Sequence, residues 1–201
     1  MKILKVGKLR EKYGNCILLN AFPKPFPAKP SGTKAILLGC DPSNVHCLDL
    51  PYVFAIQSSH KVFAQFVKKW EKMLESIDLS WDTVYVQNLC RNYFMEESSK
   101  NKIWAKVAEE WIPVLKEELD RFDKDIPVLL TSELLYNVLV YRLPLIKASD
   151  FYNSKEGEKI PIPGKDNKLD RPLIPFYRHR NYDLAAGKYP GYKKIVKKII
   201  G

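Results

Sequence analysis

Ala35-Ile36-Leu37-Leu38 is a short run that is apolar at every position, closed by Gly39 and the Asp41-Pro42 step. An unbroken run of this kind predicts a strand buried on both faces, as in the middle of a parallel sheet. Thr83-Val84-Tyr85-Val86, ending at Gln87-Asn88, predicts a second strand, and Pro127-Val128-Leu129-Leu130 a third. A fourth candidate, Leu173-Ile174-Pro175-Phe176, carries a proline, which pushes it to a sheet edge or a strand end. Between the runs the period changes. From Lys61 to Ile77 apolar residues recur at Val62/Phe63, Phe66/Val67, Trp70, Met73/Leu74 and Ile77, a helical spacing with a lysine-rich outer face. Lys102 to Phe122 repeats the pattern through Ile103/Trp104, Val107/Ala108, Trp111, Leu115, Leu119 and Phe122, with Pro113 expected to kink or split it. Thr131 or Ser132 stands as the N-cap of a helix reaching about Tyr141, and the tail from Gly191 predicts a basic helix.

Strands alternating with helices predict an α/β fold, a three-layer sandwich with a central, mainly parallel four-stranded sheet flanked by helices. Residues 1–201 read as a single domain, in which 1–33 form an N-terminal extension and proline-rich lead-in. In Phe22-Pro23-Lys24-Pro25-Phe26-Pro27-Ala28-Lys29-Pro30 four prolines force an extended chain. Ser149 to Arg171 reads as a polar loop.

Composition narrows the class. At 46% hydrophobic and 28% charged residues the chain is a globular mix, not a disordered, collagen-like or coiled-coil sequence. Thirty-three Lys and Arg against 23 acidic residues leave a net charge of +10, which favours a polyanionic partner such as nucleic acid or an anionic membrane face. No stretch of about 18 apolar residues is long enough for a membrane span, and the opening stretch lacks the apolar core of a signal peptide. Cys16, Cys40, Cys47 and Cys90 form no C-x-x-C pair, which points to reduced thiols in an intracellular protein, with no disulfide scaffold or zinc ribbon. Neither G-x-G-x-x-G nor a Walker loop is present to support nucleotide-cofactor chemistry.

In a parallel sheet the ligand crevice lies beyond the carboxyl ends of the strands. Asp41, Asn88 and His179 each fall just after the last apolar residue of a strand. One edge therefore receives a carboxylate, an amide and an imidazole. Taken singly, each has a structural reading as well. Asp41-Pro42 is a common turn, Asn88 a local cap, and Phe54 in its apolar stretch a core residue.

Taken in order, the pieces resemble the uracil-DNA glycosylase superfamily, as a divergent member. Ile36-Leu37-Leu38-Gly39-Cys40-Asp41-Pro42 is similar to that superfamily's first motif, a strand followed by Gly-x-Asp-Pro. Tyr52-Val53-Phe54-Ala55 resembles the segment supplying an aromatic platform, and Val84-Tyr85-Val86-Gln87-Asn88 the strand ending in a base-reading asparagine. Tyr177-Arg178-His179-Arg180 lies where the second, histidine-containing motif belongs. The resemblance covers roughly residues 34 to 200.

It implies a monofunctional DNA repair glycosylase that hydrolyses the N-glycosidic bond of uracil, or of a related damaged pyrimidine, flipped out of DNA. Single- or double-stranded DNA would be the partner, the protein would act as a monomer, and no cofactor or metal is implied. Asp41 would orient water and stabilise the cationic sugar, and His179 would donate a hydrogen bond to the departing base. Asn88 and Phe54 would hold the base, with Ser43 and Cys40 beside it. Arg178, Arg180 and Lys188 would meet the DNA, and Lys193, Lys194, Lys197 and Lys198 would extend the positive rim. Asn44 and Asp49 are reserve carboxylate-site candidates.

Two departures bear on specificity. Where the uracil-specific branch has a bulky tyrosine after Asp-Pro, Ser43 is small and admits 5-substituted pyrimidines. The second motif continues Arg180-Asn181-Tyr182 in place of Pro-Ser, leaving Arg178 and Arg180 to supply the phosphate contact. The cysteines do not follow the iron–sulfur branch. These departures motivate an alternative on the same fold, a non-catalytic binder of modified bases or nucleic acid; an unrelated small-molecule α/β enzyme is a third possibility.

Overall fold

The computed structural model describes residues 2–19, 22–26, 32–42, 50–141, 145–155 and 158–201. Six strands are formed: β1 (Ile17–Leu18), β2 (Ala35–Gly39), β3 (Val84–Asn88), β4 (Tyr93–Phe94), β5 (Val128–Leu130) and β6 (Leu173–Pro175). The helices are α1 (Lys2–Tyr13), α2 (Ala64–Glu75), α3 (Trp104–Leu119), α4 (Glu133–Leu139), α5 (Ala148–Tyr152) and α6 (Pro190–Ile200). The central sheet runs β3-β2-β5-β6 with every pairing parallel, and helices surround it in a three-layer α/β arrangement. All four runs read as strands are there. Every residue of β2 and β3 is buried, as their apolar runs lead one to expect, and the burial extends to the polar Gln87 and Asn88 that end β3. The proline-bearing strand β6 is at an edge.

The faces of β3 divide the molecule. Gln87 and the Tyr85 hydroxyl bond Glu118 of α3 on one side. Asn88, one residue on, belongs to the opposite face, where Phe54 packs on Trp70 of α2. The free edge of β3 is covered. Phe26 in the proline-rich strap pairs with Val86, and its N–H donates to the Val86 carbonyl at 3.1 Å. The residues before the strap also join the core. Val6 and Leu9 of α1 are buried, and β1 pairs antiparallel with β4.

One expectation is narrowed and another changes. Pro113 sits inside α3 without splitting it. The segment after Ser149 is no free polar loop. It opens with α5, buries Phe151, and is organised by Asn167, whose amide donates to the carbonyls of Pro163 and Arg171 at 2.8 Å each. Its last residue, Arg171, is only 1% exposed and closes the C-terminus of α3. The guanidinium donates to the carbonyls of Leu119, Phe122 (2.7 Å) and Asp123, tying the chain just beyond the helix to its last turn. No helix among the described residues is long and apolar enough to cross a membrane.

Arg171→Ala removes these three charge-assisted bonds and takes from the buried Phe122 its guanidinium donor. It should cost about 3 kcal/mol of unfolding free energy by urea denaturation, with Arg171→Lys recovering part of the loss.

Candidate functional site

Because β2, β3, β5 and β6 are parallel, their carboxyl ends share one edge, and the register sets Gly39 opposite Asn88. The ladder continues past the strands. Leu89 and Cys90 donate N–H bonds to the carbonyls of Gly39 and Cys40 at 2.8 and 2.9 Å, and Arg178 donates to Thr131 at 3.3 Å. The loops carrying the candidate residues therefore leave the sheet from fixed points.

Asn88 and Phe54 meet over Gly39. A Cβ at Gly39 would lie 2.2 Å from Asn88 Oδ1 and 2.7 and 2.9 Å from two ring carbons of Phe54. Only a residue without a side chain lets the amide and the ring approach the strand this closely. Phe54 itself is half-buried. Its ring stands edge-on to Trp70, centroids 5.3 Å apart, and tilted against Phe66 at 6.2 Å. Its backbone is left-handed, φ 58°, as are those of Ala55 and Gln57. Three non-glycine residues in that region are costly and persist only where packing holds them. The strap supplies part of that hold, because the Lys24 carbonyl accepts from Val53 N–H at 2.9 Å.

Asp41 follows two residues after β2. Trp104, the first residue of α3, donates its indole N–H to Asp41 Oδ1 at 2.8 Å, and Ser98 hydrogen-bonds the same carboxylate. Burial pushes the Asp41 carboxyl up to about 6, with these two bonds pulling the other way. Beside it, burial and the Asp41 charge push the Cys40 thiol up to about 12, and burial raises Cys90 well above its ordinary value. Both stay protonated at neutral pH and are not nucleophiles. Cys40 also hydrogen-bonds Ser132, whose Oγ accepts from Leu134 N–H at 3.2 Å as the N-cap of α4.

The segment after β6 is exposed at Arg178, His179 and Arg180. The Arg178 guanidinium stands 5.2 Å from the centroid of Phe66, and its charge reaches Cys40. His179 turns outward. Its Nδ1 accepts from Asn181 N–H at 3.3 Å and its ring lies 6.1 Å from Tyr182. With Nδ1 accepting, a neutral ring carries its proton on Nε2. Lys188 reaches the Arg180 carbonyl at 3.3 Å, and Lys69 reaches the Arg178 carbonyl at 3.4 Å. Lys197, expected on the rim, is engaged with Asp78 at 2.6 Å.

The structure thus brings Asn88 and Phe54 together, joins them through Gly39 to Cys40 and Asp41, and sets Arg178 beside the Phe66 wall. The contacts of His179 are with Asn181 and Tyr182 instead. Ser43, Asn44 and Asp49 lie outside the described residues. Ser98, Trp104 and Ser132 were not singled out as site residues. Trp104 fitted the apolar period of α3, and only its indole N–H hinted at a polar duty. Among the described residues no group of three or more His, Cys, Asp or Glu is placed to hold a metal ion.

Two outcomes follow from this geometry. Gly39→Ala drives a methyl into Asn88 and Phe54, and should cost about 1–3 kcal/mol by urea denaturation. Asp41 has a folded-state pKa of about 6, above its unfolded value near 3.9. Between those values the native state holds the extra proton, so stability falls as pH rises through that window. Asp41→Asn keeps the Trp104 and Ser98 bonds without the buried charge. It should exceed wild type by up to about 3 kcal/mol above pH 6, with the gap closing by about pH 4.

No protein-family model matches the chain, and no curated protein matches it.

Proposed function

We propose that the protein is a monofunctional DNA glycosylase that hydrolyses the N-glycosidic bond of uracil, or of a related pyrimidine, in a nucleotide flipped out of DNA. The observation that carries this reading is the meeting of Phe54 and Asn88 over Gly39, one residue before Cys40 and two before Asp41. An aromatic face, an amide with one acceptor and two donors, and a carboxylate are what a pyrimidine nucleotide needs at its ring, its edge and its sugar.

In the reaction, water adds its hydroxide to C1′ as the C1′–N1 bond breaks. The bond's electron pair leaves with the base, and the proton from water ends on that base. Asp41, ionised above its raised pKa and held by Trp104 and Ser98, orients the water and faces the developing sugar cation. The departing base carries negative charge, which Arg178 at the Phe66 wall and the Nε2–H of His179 are suited to stabilise. The outward turn of His179 requires this segment to close when DNA binds. Arg180 and Lys188 on the exposed segment beyond it suit phosphate contacts, which makes binding strongly salt-dependent.

The position of His179 favours one second reading, a binder of modified bases on the same fold that releases none. Uracil-containing oligonucleotides, single- and double-stranded, separate the two. Wild type should leave abasic sites, with a rate that rises as pH climbs through about 6. Asp41→Asn and His179→Ala should each lower that rate by about 100-fold or more. Equal rates in all three proteins would overturn the role assignment, and salt-dependent binding without release over a lesion panel would establish the binder.

A further inference from the structure

On the α3 side of the sheet, a cleft of about 210 Å³ lies between the strap and the end of β3, lined by Phe22, Pro23, Lys24, Pro25, Gln87 and Arg91. Arg91 comes three residues after Asn88, and its side chain is 3% exposed. Its charge has a counter-ion, since Nη2 lies 3.3 Å from Glu118 Oε2. Its hydrogen bonds do not. Among the described residues Nε, Nη1 and Nη2 find no hydrogen-bond acceptor, although burial has stripped them of water.

Neighbouring groups do not meet that need. Gln87 spends its amide N–H on Glu118 at 2.8 Å and its carbonyl on Asn88 N–H at 2.9 Å. Glu118 takes the Tyr85 hydroxyl as well. On the strap, Pro23 and Pro25 have no N–H to offer, and Lys24 commits its N–H to the Pro51 carbonyl and its own carbonyl to Val53 N–H. Arg91 and Lys24 are the charged residues of the lining, and Glu118 behind Arg91 offsets one of the two charges.

We propose that this cleft is a phosphate-binding site, in which Arg91 and Lys24 share one phosphate group. Five N–H donors in a planar fork match the geometry of a tetrahedral oxyanion, and a lysine adds a movable point charge. The volume is below that of a site for a whole drug-sized ligand, roughly 300–1,000 Å³, and suits a single phosphate with its attached sugar. The phosphate comes either from a nucleic-acid backbone diester or from a terminal or free monoester. The site is independent of the glycosylase reading, and it abuts the Phe54 turn, because Lys24 bonds Val53.

The test combines calorimetry with the ¹⁵N–¹H signal of Arg91 Nε. Inorganic phosphate is titrated against chloride at matched ionic strength, followed by thymidine 5′-monophosphate and a thymidine dinucleotide with only an internal diester. Phosphate should bind saturably and move the Arg91 Nε–H signal, and Lys24→Ala, at an exposed position, should weaken binding roughly tenfold. The paired variant R91Q/E118Q removes both charges together and should abolish binding. Binding of the monophosphate without the dinucleotide identifies a terminal phosphate, and binding of both identifies the backbone. An Arg91 signal that phosphate moves no more than chloride overturns the proposal. So does an affinity that Lys24→Ala leaves unchanged. If R91Q/E118Q does not fold, those two readouts decide.

Discussion

Gly39 has no side chain, and the candidate site is built on that fact. The parallel register sets it against Asn88, and the space a Cβ would fill holds an amide oxygen and an aromatic edge. Everything around is arranged to keep the approach. Phe54 accepts a left-handed backbone, Trp70 and Phe66 brace its ring, and the strap bonds the neighbouring Val53. The chain then leaves β2 through Cys40 to Asp41, so the carboxylate is placed by the same strand. Backbone strain of this kind is retained where surrounding packing over-determines it, and it clusters at working sites.

The two helical layers contribute differently. On the Phe54 side α2 supplies aromatic walls. On the Asp41 side α3 supplies the indole donor of Trp104 at one end and the carboxylate of Glu118 at the other. Arg171 bonds the carboxyl end of that helix, so the segment after α5 supports the element that holds Asp41. This is a route from a remote segment to the site through a rigid element, with no need for direct contact.

Much of the fold was legible because its signals were local. Short runs apolar at every position suit strands buried on both faces, and Pro175 pointed to a sheet edge or a strand end. Pro113 does not split α3 because a proline's cost is weighed against tertiary packing, and α3 is buried along its length from Trp104 through Trp111 to Leu119. The order of Asp41, Asn88 and His179 along the chain said that they leave the same sheet edge. It did not say where their side chains turn. Gly39 punctuates a strand in the sequence, and its role as the floor between Asn88 and Phe54 emerges only from the pairing register. Trp104 and Ser98 were invisible as partners of Asp41, because a hydrogen bond between residues some sixty positions apart leaves no periodicity to read. Local backbone competition, the Asn181 N–H, sets the direction of His179.

The central claim is that a pyrimidine nucleotide enters between Phe54 and Asn88 with its sugar at Asp41. A crystal structure with an oligonucleotide bearing a 2′-fluoro-2′-deoxyuridine, whose glycosidic bond resists hydrolysis, tests it most directly. The account predicts the uracil ring stacked on Phe54, its polar edge on the Asn88 amide, and C1′ facing the Asp41 carboxylate. A uracil left stacked in the DNA, or bound away from Phe54 and Asn88, would contradict it.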